Sequence, residues 1–490
     1  MIVVGDRGGL LSPTAVTLAL LAALLLALVA VPVPAMIDYV NHLARMELLA
    51  GAGPWRGYDV RFGFTPNLAM DLIVPGLARV MPVDIAARLF LALTWVAVVS
   101  GAMALERVVK GRPGFAGLAA LLVLFSVPFA WGLGNSNLGL GLAVWGVALW
   151  LGSAGRPLGW RWALHAGVCV VLFFTHFFAL GCYGLVVGLV EFPPLLMGRQ
   201  WRRAAVLAGV LASPVVVLLG LMRLAGGGIG GSRTDWDVAQ KWDWLLLFWN
   251  GAVPWLAAVT LMTVLLLIAF MVARHRLWLT PAGCWVAGGL LLLYLALPWR
   301  LFDMAFLDVR VLALAALVLP AFVTHTPSRA AGAVLVTLVL ANGTATVAGW
   351  VAHQADYRQF RASFAALPPG AAVLVAVAPG SGQDDVPLYY APTLAVPARD
   401  VFVASFYAFP GAQPVVVAPR YADRAVTEAI DYVPVPWSKL LAGTAPPHAQ
   451  DWQRRYDYLY VIGPPPGALP PGLREVAAGR RFRLYRIAPP

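Results

Sequence analysis

The sequence predicts an α-helical protein that crosses a membrane about eleven times and ends in an α/β domain on the outer, periplasmic side. Three observations lead there. Of the 490 residues 60% are hydrophobic and only 12% are charged, about half the charged share of an ordinary soluble protein. Apolar runs of about 17 to 25 residues, each long enough to cross the hydrocarbon core as a helix, recur through the first 350 positions. Beyond them the long runs stop and short β-rich ones take over.

The first run, Leu10 to Ala35, follows Arg7 and lacks a small-residue cleavage site before the next polar segment, so it reads as a retained span and not a cleaved leader. Further runs lie at about 84–105, 115–133, 137–153, 162–175, 179–197, 204–224, 252–273, 281–297, 309–325 and 330–351. The stretch 162–197 is too long for one helix and divides at Thr175-His176. A transmembrane domain thus covers 1–352, interrupted by a long first outer loop at 36–83, and a second domain covers 353–490.

Charge sets the orientation, because short loops rich in Lys and Arg stay in the cytoplasm. With the N-terminus inside, Arg107, Lys110, Arg112, Arg156, Arg161, Arg199, Arg202, Arg203, Arg274, Arg276 and Arg329 all fall in cytoplasmic turns. The opposite loops hold most of the carboxylates, among them Asp38, Glu47, Asp59, Asp71, Asp84, Asp235, Asp237, Asp243, Asp303 and Asp308. An odd number of spans sends the tail outside, as expected of a multi-pass protein of a bacterial inner membrane. The formal charge of +12 is spread over these turns in short clusters, which argues against a nucleic-acid partner. Cys169, Cys182 and Cys284 lie in apolar stretches without metal-ligand spacing, so neither a disulfide framework nor a zinc site is expected.

In the tail, Ala372–Ala378, Val401–Phe406, Val415–Ala418, Tyr458–Ile462 and Phe482–Ile487 read as strands between Pro and Gly clusters. Ala425–Tyr432 and Trp452–Tyr456 read as short helices, and 464–471 as a Pro-rich loop. No Gly-rich phosphate loop precedes either helix, so no nucleotide site is expected.

Long ordered loops tend to carry function, and loop 36–83 opens with Asp38-Tyr39-Val40-Asn41-His42-Leu43-Ala44-Arg45. On a helix Asp38, His42 and Arg45 share one face with Asn41 beside it. A carboxylate there suits a general base or a divalent cation, His42 either role, and Arg45 a phosphate. The plainer reading makes Asp38 a helix cap and the rest a solvated face. Asp59 and Asp71 are further carboxylates of the same loop, with Asp71 equally suited to pair with Arg79 or to cap. Asn67 and Asp71 sit at i, i+4 on 66–80, an apolar segment too short to span.

Three other outer clusters stand out. Pro298–Arg310 places Arg300 and Arg310 around Asp303 and Asp308, either a clamp for a lipid-linked phosphate or internal ion pairs. Loop 225–251 runs from Gly226-Gly227-Gly228-Ile229-Gly230-Gly231 into Asp235-Trp236-Asp237 and Lys241-Trp242-Asp243-Trp244. That suits a loop closing on a sugar face, or an interfacial Trp belt. His176 and Asn135-Ser136-Asn137 share the outer side, where they can line a cavity or serve as turn residues.

The whole layout, from the acidic residue ending the first span to the outer C-terminal domain, resembles the GT-C superfamily of integral-membrane glycosyltransferases. The segments Asp38–Arg45, with the pattern Asp-Tyr-x-Asn-His-x-Ala-Arg, and Pro66–Leu72 also resemble a group of uncharacterised bacterial membrane proteins. The resemblance implies that Asp38 is a catalytic base or a metal-associated residue. Tyr39 stands where many members have a second carboxylate. An Arg of the late outer loop, Arg300 or Arg310, would correspond to the phosphate-binding element for a polyprenyl donor. The implied activity moves a sugar from a polyprenyl-phosphate donor to a lipid or glycan acceptor of the cell envelope, with Asp38, His42, Asp59 and Asp71 as catalytic candidates. Arg45, Asn41, His176, Asp235, Trp236, Arg300, Asp308 and Arg310 are the substrate-binding candidates. A transporter or assembly factor of an envelope-polysaccharide system is the alternative; the scarcity of acidic residues in the spans, Glu191 excepted, and the lack of a fixed-period repeat weigh against it.

Overall fold

The computed structural model describes residues 12–488 apart from 52, 229–232, 250, 252, 276, 303, 325–327, 410, 412, 466 and 468. Leu10 and Arg7 at the first run, Arg276, Asp303, and Ile229, Gly230 and Gly231 of the glycine run lie outside the described residues.

Helices dominate. The first, α1 (Pro13–Ala30), is started by Ser12, whose hydroxyl accepts from the Ala15 amide at 3.2 Å, with Pro13 at the first helical position. After it come α2 (Tyr39–Ala50), α3 (Ala69–Leu77) and α4 (Val83–Lys110), the last closed by Gly111 in the left-handed conformation, φ 69°. Then follow α5 (Ala116–Val123), the single turn α6 (Val127–Ala130), α7 (Gly134–Gly152), α8 (Leu158–Thr175), α9 (Phe177–Met197) and α10 (Trp201–Leu224). The set closes with α11 (Val238–Leu246), α12 (Pro254–Ala273), α13 (Pro281–Ala296), α14 (Leu307–Val318) and α15 (Arg329–Ser363).

Seven of these, α1, α4, α8, α9, α10, α12 and α15, are long and apolar enough to cross a membrane. The four other runs read as spans form shorter or more polar helices. The run 115–133 folds as α5 and α6 with a break at 124–126, where Pro128 enters α6; α13 has 16 residues and α14 has 12. The run 137–153 lies in α7, whose first turns are diluted by Gly and Asn. Close packing places α7: a Cβ on Gly141 would lie 2.7 Å from the Val98 amide nitrogen of α4, so only glycine lets the backbones approach.

The boundary read at 352–353 falls inside α15, which runs 35 residues without interruption. Residues 352–363 contain neither Gly nor Pro, so the helix outlasts the membrane-like composition. Gln354 ties it to the chain leaving α1: its side chain accepts from the Val33 amide at 3.2 Å and donates to the Val33 carbonyl at 2.8 Å.

The strands are β1 (Tyr58–Val60) between α2 and α3, β2 (Thr234–Asp235) between α10 and α11, β3 (Arg300–Leu301) and β4 (Met304–Ala305) between α13 and α14, and β5 (Ala372–Val377), β6 (Phe402–Val403), β7 (Val415–Val417), β8 (Val435–Pro436), β9 (Tyr458–Ile462), β10 (Leu473–Gly479) and β11 (Phe482–Ile487) in the tail. The tail forms a six-stranded mixed sheet in the order β10-β11-β9-β5-β6, with β8 also on β5. Its centre, β5 beside β9, is parallel and almost fully buried. The segment 415–417 stands outside this sheet and pairs antiparallel with β1, stitching the connection between α2 and α3 to the tail. Residues 425–432 give a 3-10 turn at Ala429–Tyr432 in place of the expected helix, and β10, not expected from the sequence, completes a hairpin with β11.

Candidate active site

Asp38 stands at the start of α2, its amide donating to the Trp131 carbonyl at 2.8 Å and its carbonyl accepting from the His42 amide at 2.9 Å. Its side chain caps nothing. Instead one carboxylate oxygen accepts a 2.7 Å hydrogen bond from the Tyr407 hydroxyl, delivered by the tail. Burial pushes the Asp38 carboxyl up to about 6, against the opposing pull of the Tyr407 hydrogen bond and the nearby Arg310 guanidinium. The group is therefore ionised at neutral pH yet basic enough to take a proton, the range that suits a general base.

His42, one turn on, packs edge-on to the Tyr407 ring with centroids 5.5 Å apart. Burial and the positive charge of Arg45 hold it well below the usual histidine range, so the ring is neutral, and its buried Nδ1 has no partner among the described residues. Asn41 is fully used in positioning: its amide donates to the Ser405 carbonyl at 2.7 Å and its oxygen accepts from the Tyr407 amide at 2.9 Å. Arg45 and Asp71, each 2% exposed, form a two-pronged ion pair at 2.7 and 3.3 Å that fastens α2 to α3. Asp71 thus pairs with Arg45 and not with Arg79, which stays exposed at the far end of the segment while Asp71 is buried under α2.

From α14 comes Arg310, in the first turn of that helix and 7% exposed. It donates to the Ala305 carbonyl at 3.1 Å and faces His176 Nε2 at 3.3 Å. A guanidinium only donates, so Nε2 accepts and the His176 proton sits on Nδ1, a buried donor without a partner among the described residues. Arg310 Nε is likewise unpartnered, and no carboxylate among the described residues lies within ion-pair distance of this guanidinium. His176 owes its place to the break between α8 and α9, where its backbone is extended. It packs on α7 at Gly139, where an added Cβ would lie 2.7 Å from its own. Ser126, which starts α6, and Ser136 and Asn137, in the first turn of α7, add further buried polar atoms without partners among the described residues.

The remaining sequence candidates keep other company. Asp59 pairs with Arg61 at 3.0 Å on half-exposed β1 and shares no bond with the Asp38 group. Arg300 is bound to Asp235, with Glu428 of the tail at 3.8 Å, and so is tied by strands β2 and β3 into a cluster separate from Arg310. Asp308 does not pair with Arg310; it receives its own α14 backbone amide of Val309 at 2.9 Å and faces Lys241 at 3.6 Å. Trp236 is largely exposed. Sequence reasoning missed Tyr407, Tyr390 and Tyr432, which cluster over α2 with Tyr407 centroids 5.2 and 5.4 Å from the other two, and it missed Trp131, against which Trp244 and Phe306 of the flagged outer clusters pack. Aromatic enrichment after Val401–Phe406 was the only local sign.

The donor set does not suit a divalent cation, which asks for several oxygens: Asp71 is consumed by Arg45, and the described residues include no cluster of three or more His, Cys, Asp or Glu fit to hold a metal. Positive charge beside Asp38 comes from Arg310.

No family model matches the sequence, and no curated protein matches it. Among solved structures the chain is similar to the crystal structure of ArnT from Cupriavidus metallidurans bound to undecaprenyl phosphate, with 12% identity and a TM-score of 0.47, over 96% of this chain and 97% of that one.

Proposed function

We propose that the protein is a membrane glycosyltransferase of the GT-C type that moves a sugar from a polyprenyl-phosphate donor to an acceptor hydroxyl on the periplasmic side. One observation carries the reading: a half-buried carboxylate poised to take a proton lies near a buried guanidinium that has no carboxylate within ion-pair distance among the described residues. Asp38 removes the proton from the attacking acceptor hydroxyl. Arg310, oriented by His176 Nε2, holds the phosphate and stabilises the charge that grows on it as the sugar departs. A lipid phosphate is the fitting leaving group for a site at the outer membrane border, where such a headgroup would lie. Asn41 and the Arg45–Asp71 pair position α2 and touch no substrate.

The transporter alternative gains no support from the carboxylates of the long helices. Glu191 accepts from Trp150 and Arg161, and Glu106 from Lys110 and the amides of Gly114, Phe115 and Ala116, so neither offers a free relay. The test is incubation of the purified chain in nanodiscs with a panel of polyprenyl-phosphate sugars and lipid or glycan acceptors. Release of the polyprenyl phosphate with sugar on the acceptor is expected; if no donor in the panel is bound or turned over, the reading is refuted.

A further inference from the structure

The tail reaches the carboxylate of Asp38 through Tyr407. Residues 405–407 follow β6 and are held on α2 by both halves of the Asn41 amide, and the Tyr407 hydroxyl then ends on Asp38. Tyr407 is walled in by Tyr390, Tyr432 and His42, so its ring has little freedom to rotate. Two elements from opposite ends of the chain therefore meet on one carboxylate oxygen, 369 positions apart in sequence.

We propose that Tyr407 is a positioning residue for the transferase proposed above: its hydroxyl fixes the orientation of the Asp38 carboxylate, so the active site is complete only when the C-terminal domain is docked on α2. The inference rests on Asp38 being the base of that reaction. A carboxylate uses one oxygen to accept from Tyr407 and keeps the other for the acceptor proton, while a neutral phenol takes no charge of its own into the site. The hydrogen bond also favours the ionised carboxylate over the protonated one. Other groups facing Asp38 are His42 on its own helix, with Arg45 one turn beyond, Arg310 of α14 with His176 behind it, and Tyr390 of the tail. Tyr407→Phe leaves all of these in place and removes one hydroxyl.

The experiment uses the full chain in nanodiscs. Infrared difference spectra between the parent and Asp38→Asn isolate the Asp38 carboxyl band, whose pH midpoint is then read in the parent and in Tyr407→Phe. Losing one donated hydrogen bond should raise the midpoint by about one pH unit, and the acid limb of kcat/KM should move up with it. An unchanged midpoint overturns the role of Tyr407. Should Tyr407→Phe fail to fold, 3-fluorotyrosine placed at 407 keeps the shape and is a stronger donor; the midpoint should then fall, and no movement overturns the inference. A chain whose midpoint shifts but which transfers no sugar refutes the transferase and keeps the Tyr407–Asp38 coupling. A working transferase whose midpoint ignores Tyr407 does the reverse.

Discussion

At Asp38 two demands conflict. Its folded-state value of about 6 lies above the ordinary carboxylate value of 3.8, so between those limits the folded chain binds more protons than the unfolded one, and stability falls as pH rises through that window. Above it the cost is complete, about 2 to 3 kcal/mol. Asp38→Asn should raise thermal stability at pH 7 by that order, with the gain fading below about pH 4, while turnover falls by about two to four orders of magnitude; normal turnover would remove Asp38 from the chemistry. In the parent, kcat/KM should fall about tenfold per unit below pH 6. Arg310 poses a second residue-scale question. Lys keeps its charge but loses the planar fork, so Arg310→Lys should weaken donor binding or turnover about ten- to a hundredfold, whereas Arg300→Lys, at a residue already bound to Asp235, should do less. Donor titrations of the two variants decide, and equal losses would return Arg300 to the phosphate site.

Among elements, α2 carries the site and α3 holds it level. The Arg45–Asp71 pair is a two-pronged polar fastening between them, and both ends are buried. Asp71→Ala strands a buried guanidinium and should cost about 3 to 5 kcal/mol, while Arg45→Met with Asp71→Leu should recover most of it, because apolar replacements of similar volume leave no charge unpaired. Denaturation in detergent would show this; a double variant as unstable as the single one would mean that the pair does more than fasten. This level was half legible in the sequence. The i, i+4, i+7 pattern of Asp38, His42 and Arg45 marked a helix face correctly placed after α1, and the break at Thr175-His176 was visible as a run too long for one helix. Partners across the fold were not legible. Arg79 was near in sequence to Asp71, and Asp308 to Arg310, yet the structure supplies Arg45 to Asp71 and His176 to Arg310, because packing of α2 on α3 and of α14 on the α8–α9 break is set by burial and not by spacing. Tyr407 escaped for the same reason.

For the whole molecule, the proposed orientation places the tail outside the cytoplasm. A cysteine introduced at exposed Gln450, in a background where Cys284 is replaced by Ser, should react with an impermeant reagent on intact cells; protection until lysis would reverse the topology. The composition change after about 350 made the tail legible as a separate region, but composition tracks the solvent and not the helix, so it hid the continuity of α15. That continuity has a mechanical consequence. At 1.5 Å per residue the 35 residues of α15 form a rod about 50 Å long, well beyond a hydrocarbon core of about 30 Å, and Gln354 clamps it to the exit of α1 beside Asp38. Bilayers of different thickness tilt apolar helices, and because α15 is one rod, a tilt of its apolar part would move the tail, with Tyr407 on it, relative to α2. In nanodiscs of graded acyl length, turnover should then pass through a maximum at one thickness and fall on both sides; a flat response would show that the rod bends before it transmits.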